Sequence, residues 1–327
     1  PDDRNTKAGS GPKKGELHDG LQAIGAPGPS TRGWIPRPSP GIVGDPGPRW
    51  KGFRFGALSL NAEVRTPSDR NPSTPGEYRG AMTYRLIADQ TSLSEVQPSI
   101  QSHPRIALDC EAAGFHRYSD RLCLVQLSTS EATYLFDPMA VDPSTVLAPI
   151  LEDPSIEVVM HGADFDIRLL QRDLGIGLKG LFDTQIAATL LGARAFGLAS
   201  LLEEHLGVKL SKKHQRADWA QRPLPEAFLE YAADDTRHLL SLAEILSDRL
   251  RSLGRDAWAE EEFRAQEAIE WVEDSTDPVT RLKAARHMTP RQVTSLRAAL
   301  AWRDEIARKR DRAPFRVVGD QVLLSII

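Results

Sequence analysis

The sequence predicts an α/β fold, a mixed sheet flanked by helices, with a smaller all-α module behind it. Three observations predict it. Five short runs of β-branched and apolar residues cluster between Tyr84 and His161. From about residue 164 a helical period replaces the strand pattern, and period is the primary signal of element type. Short hairpin-like connections join the second, third and fourth runs, which makes that part of the sheet antiparallel. The later alternation of strand and helix adds a parallel edge with helices on both faces.

The strands are expected at Tyr84–Ala88, Arg105–Glu111, Leu122–Thr129, Thr133–Asp137 and Glu157–His161. Helices are expected at 164–174, 183–192 and 198–206, and then at 225–233 continuing to 252 as one or two segments. Residues 256–277 carry nine acids against one arginine and read as a solvated linking helix ending at Asp277-Pro278. From Arg281 to Arg312 the balance reverses, with ten Lys or Arg against three acids, a difference of +7. There Val293, Leu296, Leu300 and Ile306 give a helix with a buried stripe and a basic face.

Residues 1–81 hold twelve of the 23 prolines and show no sustained period. Such composition does not bury enough apolar surface to offset chain entropy. The first methionine is Met82, so residues 1–81 are expected to be an upstream extension or a disordered tail that the folded part does not need.

Composition narrows the function classes. A hydrophobic content of 40% and a charged content of 26% are ordinary for a globular protein. A net charge of −4 gives no global attraction to nucleic acid, so any such attraction is local. The two cysteines, Cys110 and Cys123, lack metal-ligand or redox spacing and fit a reducing, cytoplasmic setting. Cys110 stands between two acids on a strand and is expected to face the opposite, buried side. No apolar run reaches the length of a membrane span, so no membrane association is expected. No feature of the chain calls for an obligate protein partner.

Tyr231 and Asp235 stand four apart in a helical stretch, which places both on one face, one turn apart. A phenol beside a carboxylate fits a water held for attack at a metal, provided further carboxylates converge. Asp109 and Glu111, at i and i+2 of a strand, project to a common face. Taken alone they read as solvated acids at a strand end. A third group lies in His161-Gly-Ala-Asp164-Phe-Asp166, where Asp164 is placed to cap the coming helix. His161 reads as a hydrogen-bonded strand end rather than a base, and Asp183 as a helix cap rather than a ligand.

The D-x-E pair at Asp109-Cys-Glu111, the H-x-x-x-x-D segment ending at Asp166 and the Y-x-x-x-D helix resemble the exonuclease motifs of the DEDD superfamily, in its tyrosine-bearing branch. Leu122-Cys-Leu-Val-Gln-Leu127, Asp183-Thr-Gln185, Gln215-Arg-Ala-Asp-Trp219 and Arg222-Pro-Leu224 resemble ribonuclease D. The resemblance runs from about Tyr84 to Ile245, and a weaker one to the HRDC module begins near Thr280. It implies a ribonuclease H-like sheet at 82–252, an acidic linker at 253–278 and a partial HRDC-like helical domain at 279–327. That module's later helices are not in the sequence, so the chain is expected to be cut short at Ile327. It also selects Asp166 over Asp164 for metal duty.

Four acids from three segments, Asp109, Glu111, Asp166 and Asp235, suit two divalent ions about 3.5–4 Å apart that share carboxylates. Oxygen donors suit Mg²⁺ or Mn²⁺. With Tyr231 these acids are the expected catalytic residues. The loop Leu210–Trp219 combines strong bases with an aromatic ring, as a single-strand groove needs. Lys212, Lys213 and Arg216 are expected on the phosphates, while Trp219 is expected to pack. Gln215 and Arg222 match family positions and join the expected substrate contacts.

The resemblance implies a 3′→5′ exoribonuclease acting on RNA with a single-stranded 3′ end, such as tRNA precursors, and releasing nucleoside 5′-monophosphates. The rivals are a DNA exonuclease and a catalytically dead RNA-binding scaffold. The presence of all four acids and Tyr231 speaks against the last.

Overall fold

The computed structural model describes residues 84–327, and the expectation for residues 1–81 lies outside them. Six strands form one sheet: β1 (Tyr84–Ile87), β2 (Arg105–Ala112), β3 (Leu122–Ser128), β4 (Thr133–Phe136), β5 (Glu157–Met160) and β6 (Leu181–Asp183). Their order is β1-β4-β3-β2-β5-β6. β2, β3 and β4 pair antiparallel, while β1 with β4, β2 with β5 and β5 with β6 pair parallel. This is the expected mixed sheet with a parallel edge.

The helices are α1 (Gln90–Gln101), α2 (Ser144–Leu151), α3 (Asp164–Leu174), α4 (Thr184–Leu190), α5 (Leu198–Leu206), α6 (Glu226–Arg237), α7 (Leu239–Ser252), α8 (Asp256–Glu267), α9 (Pro290–Lys309), α10 (Pro314–Val317) and α11 (Asp320–Ser325). The stretch at 225–252 is two helices, broken at His238, whose backbone turns to φ −107°. The acidic linking helix stops at Glu267 rather than reaching Asp277.

Between residues 84 and 252, three elements escaped the sequence reading. α1 buries only Leu93, Val96 and Ile100 among polar neighbours, and it carries Pro98. Its start is fixed by Asp89, whose carboxylate accepts the N–H groups of Thr91 and Ser92 at 2.9 and 3.0 Å. α2 is short and also contains a proline, Pro149. β6 has three residues, too few to show a period.

Two apolar cores sandwich the sheet. The larger joins α1, α2, α3, α4, α5 and α7 to strand residues such as Ile106, Leu108, Val125, Leu127 and Val158. The smaller lies beneath α6 and contains Leu124, Leu135, Trp219, Leu229, Ala232 and Ala233. Trp219 is 1% exposed and packs against Phe228 and Tyr231, at centroid distances of 5.3 and 6.1 Å. Truncating a ring so buried costs about 3–5 kcal/mol. This second core fixes α6 over β2, β3 and β4, so it sets the height of Tyr231 and Asp235 above the sheet.

The C-terminal module has its own small core of Val279, Leu296, Leu300 and Leu323. α9 begins with a capping box, in which Thr289 and Gln292 satisfy each other's backbone. Of the expected stripe, Leu296 and Leu300 are buried together with Ala307, and Val293 packs against the same core.

Candidate metal centre and catalytic cleft

Strand alternation and helix period bring the acids to the C-terminal end of β2. Asp109 and Glu111 leave β2 on the face covered by α6, and Asp235 descends from α6. One oxygen from each of these three lies within 4.8 Å of the others. Asp166 stands outside that trio, buried in the first turn of α3 at 7% exposure; its charge acts on Glu111 and Cys110, and that of Asp109 acts on it. The structure therefore places three expected acids together and the fourth beside Asp109.

The position of Asp166 depends on a turn. Gly162 adopts φ +73°, a conformation that side chains disfavour. Asp183, fully buried, holds this turn. Its carboxylate accepts the N–H groups of Gly162 and Ala163 at 3.0 and 2.9 Å, and those of Gln185 and Ile186 at the start of α4 at 2.8 and 3.2 Å. Asp183 thus ties the starts of two helices together. Asp164 does not cap α3; it lies inside the first turn and pairs with Arg168 at 2.8 Å, one turn on.

His161 lines the cleft. The Thr184 hydroxyl donates to the Met160 carbonyl, so it accepts from His161 Nδ1 at 2.9 Å. That fixes the proton on Nδ1 and leaves Nε2 as an acceptor. Burial, offset in part by Asp183, lowers the imidazole pKa and keeps the ring neutral.

Burial is the main cause of every shift among the acids. It pushes Asp109 up to about 7. It pushes Asp235 up to about 8, with the Asp109 charge adding to the effect. Glu111 and Asp166 are raised well above the carboxylate range by burial and then by their acidic neighbours. Tyr231 hydrogen-bonds to Asp235, and burial with the surrounding acids drives its phenol further from ionisation. Tyr231 is therefore no base at neutral pH. Cys110 packs against the larger core but remains only half-buried at the cleft, with its thiol pushed well up by burial and the Asp166, Asp109 and Glu111 charges.

This donor set fits a hard divalent cation. It offers carboxylate oxygens, holds excess negative charge, and has no Lys or Arg paired to any of the four acids among the described residues.

The cleft beside the acids has a volume of about 420 Å³. Lys212 and Gln215 line it; Lys213 and Arg216 do not. Arg216 is exposed, its guanidinium 5.4 Å from the Phe115 ring centre. Arg222 is a correction to the sequence reading. It donates twice to buried Asp137 at 2.7 Å and to the carbonyls of Trp219, Gln221 and Cys123 at 2.7, 2.7 and 2.9 Å. A guanidinium has five N–H donors, and all are engaged, so Arg222 clamps the loop and has none left for a substrate. Gln126 of β3 is buried directly opposite Asp109, a neighbour the sequence reading did not pick out. It sits in an apolar strand pattern, and only the cross-strand register reveals it.

A 3′-5′ exonuclease family model matches residues 84–251. The chain belongs to the DEDD-type 3′-5′ exonuclease family, of the ribonuclease D and RRP6 kind. An HRDC domain model matches residues 294–327. The exosome complex exonuclease RRP6 of Saccharomyces cerevisiae is 32% identical over 259 residues, covering 74% of this chain and 35% of that protein. The catalytic core of RRP6 from Trypanosoma brucei superposes with a TM-score of 0.66 at 29% identity, covering 75% of this chain and 70% of that one. Escherichia coli RNase D, an exoribonuclease involved in structured RNA processing, gives a TM-score of 0.59 at 34% identity, covering 75% and 66%. The chain spans about a third of the length of the curated exosome relatives it matches.

The raised carboxylates make a pH prediction. A carboxylate with a raised folded pKa keeps its proton where the unfolded chain has lost it. The cation-free fold therefore loses stability from this cluster as pH rises from about 4 through about 8. A cation must displace those protons, and its binding strengthens over the same window. The melting-temperature gain from saturating Mg²⁺ should be several degrees larger at about pH 8 than at about pH 5.5. Calorimetry at the two pH values checks this; an equal or larger gain at the lower pH would show that the acids are already ionised.

Proposed function

We propose that the protein is a metal-dependent 3′→5′ exoribonuclease. It removes nucleotides one at a time from the single-stranded 3′ ends of small structured RNAs such as tRNA precursors, and releases nucleoside 5′-monophosphates. The observation that carries this reading is the meeting of Asp109, Glu111 and Asp235 with Tyr231 in one cleft lined by Lys212 and Gln215, with the charge of Asp109 acting on buried Asp166 behind it.

In this reading Asp109, Glu111, Asp235 and Asp166 would hold two Mg²⁺ or Mn²⁺ ions, with the first three offering oxygens to a common ion. When bound, the ions acidify the attacking water and offset charge on the leaving oxygen. The chain's own residues do the rest. The Tyr231 phenol stays protonated and orients the attacking water through its hydroxyl. Lys212 and Gln215 take the phosphate of the terminal nucleotide. A cleft of about 420 Å³ is in the size range of small-molecule sites, as one terminal nucleotide requires.

Matched RNA and DNA oligonucleotides with 3′ extensions, digested with Mg²⁺ or Mn²⁺ and read by mass, test the reaction. We expect single-nucleotide 5′-monophosphate products from RNA, loss of activity in EDTA, and arrest by a 3′ block but not a 5′ block. Internal cleavage products, undiminished activity in EDTA, or preference for DNA would each refute the proposal.

Tyr231→Phe keeps the ring and removes the hydroxyl. Turnover should fall by roughly 10²-fold or more, as for lost proton-transfer or positioning groups, while RNA affinity stays near that of the unaltered protein. An undiminished rate would reduce Tyr231 to a packed helix residue.

A further inference from the structure

The β2–β3 connection, residues 113–121, is where three parts of the chain meet. Toward the basic loop, His116 Nε2 donates to the Arg216 carbonyl at 2.9 Å, and Arg117 donates twice to Asp218 at 2.7 and 3.1 Å. Toward the C-terminal module, the Tyr118 hydroxyl donates to Asp304 at 2.9 Å and Arg316 Nε donates to the Phe115 carbonyl at 2.7 Å. These contacts bring two guanidinium groups to one ring. Arg316 lies 4.7 Å and Arg216 5.4 Å from the Phe115 centre, and the half-exposed Phe315 ring is 5.6 Å away. Both arginines are exposed, and neither has an ion pair among the described residues. Like charges gathered on one ring repel, and an anion between them relieves the repulsion. Unpaired cations interleaved with stackable rings are the chemistry of a single-strand nucleic-acid groove. Arg216 also follows Gln215, which lines the cleft, so the strip extends from the cleft onto the C-terminal module.

We infer that Arg216, Phe115, Arg316 and Phe315 form a binding strip for single-stranded RNA upstream of the nucleotide in the cleft, assembled from the sheet and the C-terminal module together. The inference rests on reading the cleft as an exoribonuclease site. Its test uses Asp235→Asn protein, which reads binding without turnover, and oligoribonucleotides of about 3 and about 12 nucleotides, the longer spanning a site of ordinary length. Arg316→Ala with Phe315→Ala should weaken the longer RNA about tenfold, because a stacking ring and a phosphate-binding cation are removed at once. It should also lower the slope of log affinity against log salt by about 0.7, one cation's share on a single strand. The shorter RNA should bind as before. Equal losses on both lengths, or no loss on either, would overturn the strip. Phe315→Ala alone removes an exposed ring; it should weaken the longer RNA with an unchanged salt slope, and unaltered affinity would strike Phe315 from the strip. If unaltered protein binds but does not cut RNA, the catalytic reading fails while the binding comparison still decides this one.

Gln126, in the middle of β3, is 0% exposed, and neither atom of its amide has a hydrogen-bond partner. Buried amides are nearly always paired, and a bare one calls for an explanation. The register sets Gln126 directly across from Asp109, and directly opposite residues share a face at contact distance. That face is covered by α6: Ser128, two residues along, hydrogen-bonds Thr236 at 2.7 Å. The bare amide therefore lies between the strand that carries Asp109 and the helix that carries Asp235.

The geometry points to Gln126 as a positioning residue whose amide N–H donates to the Asp109 carboxylate in the cation-loaded protein. Gln126→Met keeps the length and removes both polar atoms. In cation-free protein its melting temperature should be unchanged or higher, because an unpaired amide is gone. Affinity for Mn²⁺ by calorimetry should fall about 10–100-fold, as for groups that orient a ligand. Equal Mn²⁺ affinity would overturn the assignment. So would a lower cation-free melting temperature, which would mean the amide is already bonded there. Unaltered protein that takes up no Mn²⁺ would instead sink the metal-centre reading.

Discussion

The structure is organised around the burial of like charges. Asp109, Glu111 and Asp235 are brought together half-buried at the cleft, with buried Asp166 beside Asp109, and none has a basic partner among the described residues. Burial of an unpaired carboxylate is costly, and in practice the group takes up a proton instead. Something must hold the acids together against that cost. β2 fixes Asp109 and Glu111 by sheet register. The small core around Trp219 holds α6 on the sheet. Asp183 pins the turn into α3 with four backbone hydrogen bonds. Each device is rigid and apolar or fully hydrogen-bonded, so the strain of the site stays in the site. Proteins commonly give up stability where function requires it.

The sequence made much of this legible because the informative spacings are short. A two-residue step on a strand puts Asp109 beside Glu111, and a four-residue step on a helix puts Tyr231 beside Asp235. Backbone geometry fixes both, independent of tertiary structure. The basic loop was legible only as composition. Which of its groups reach the cleft depends on long-range partners: Asp137 claims Arg222 across 85 residues, while Lys212 and Gln215 remain at the cleft. Gln126 and Asp137 were illegible for the same reason, since their meaning lies in what stands opposite them. Asp164 was misread because capping and ion pairing differ by one residue in where a helix begins, the least certain feature of any sequence reading.

Charge shows the same limit. Counted along the chain, Arg281–Arg312 looks strongly basic, with a net +7. In the fold, Arg281, Arg297, Arg303, Arg308 and Lys309 are paired with Asp274, Asp277, Asp320, Asp304 and Glu305. Half of the ten bases are thus partly neutralised before any ligand arrives. Exposed pairs of this kind add little stability, but they remove free positive charge from the helix face. The acids that do so come partly from the stretch that sequence reading treated as a mere linker. Lys283, Arg286, Arg291, Arg310 and Arg312 keep no ion pair among the described residues, and beyond them Arg316 stands at the contact with Phe115, where Arg216 meets it from the side of the cleft. For a protein of net negative charge, this matters more than the total. Screening confines each charge to about 8 Å at physiological salt, so a polyanion would be drawn to where the unpaired cations lie rather than to the module as a whole. The residues that place them are those of the β2–β3 connection, which begins two positions after Glu111. The strand that carries Asp109 and Glu111 and the loop that positions Arg216 and Arg316 are therefore one continuous piece of chain.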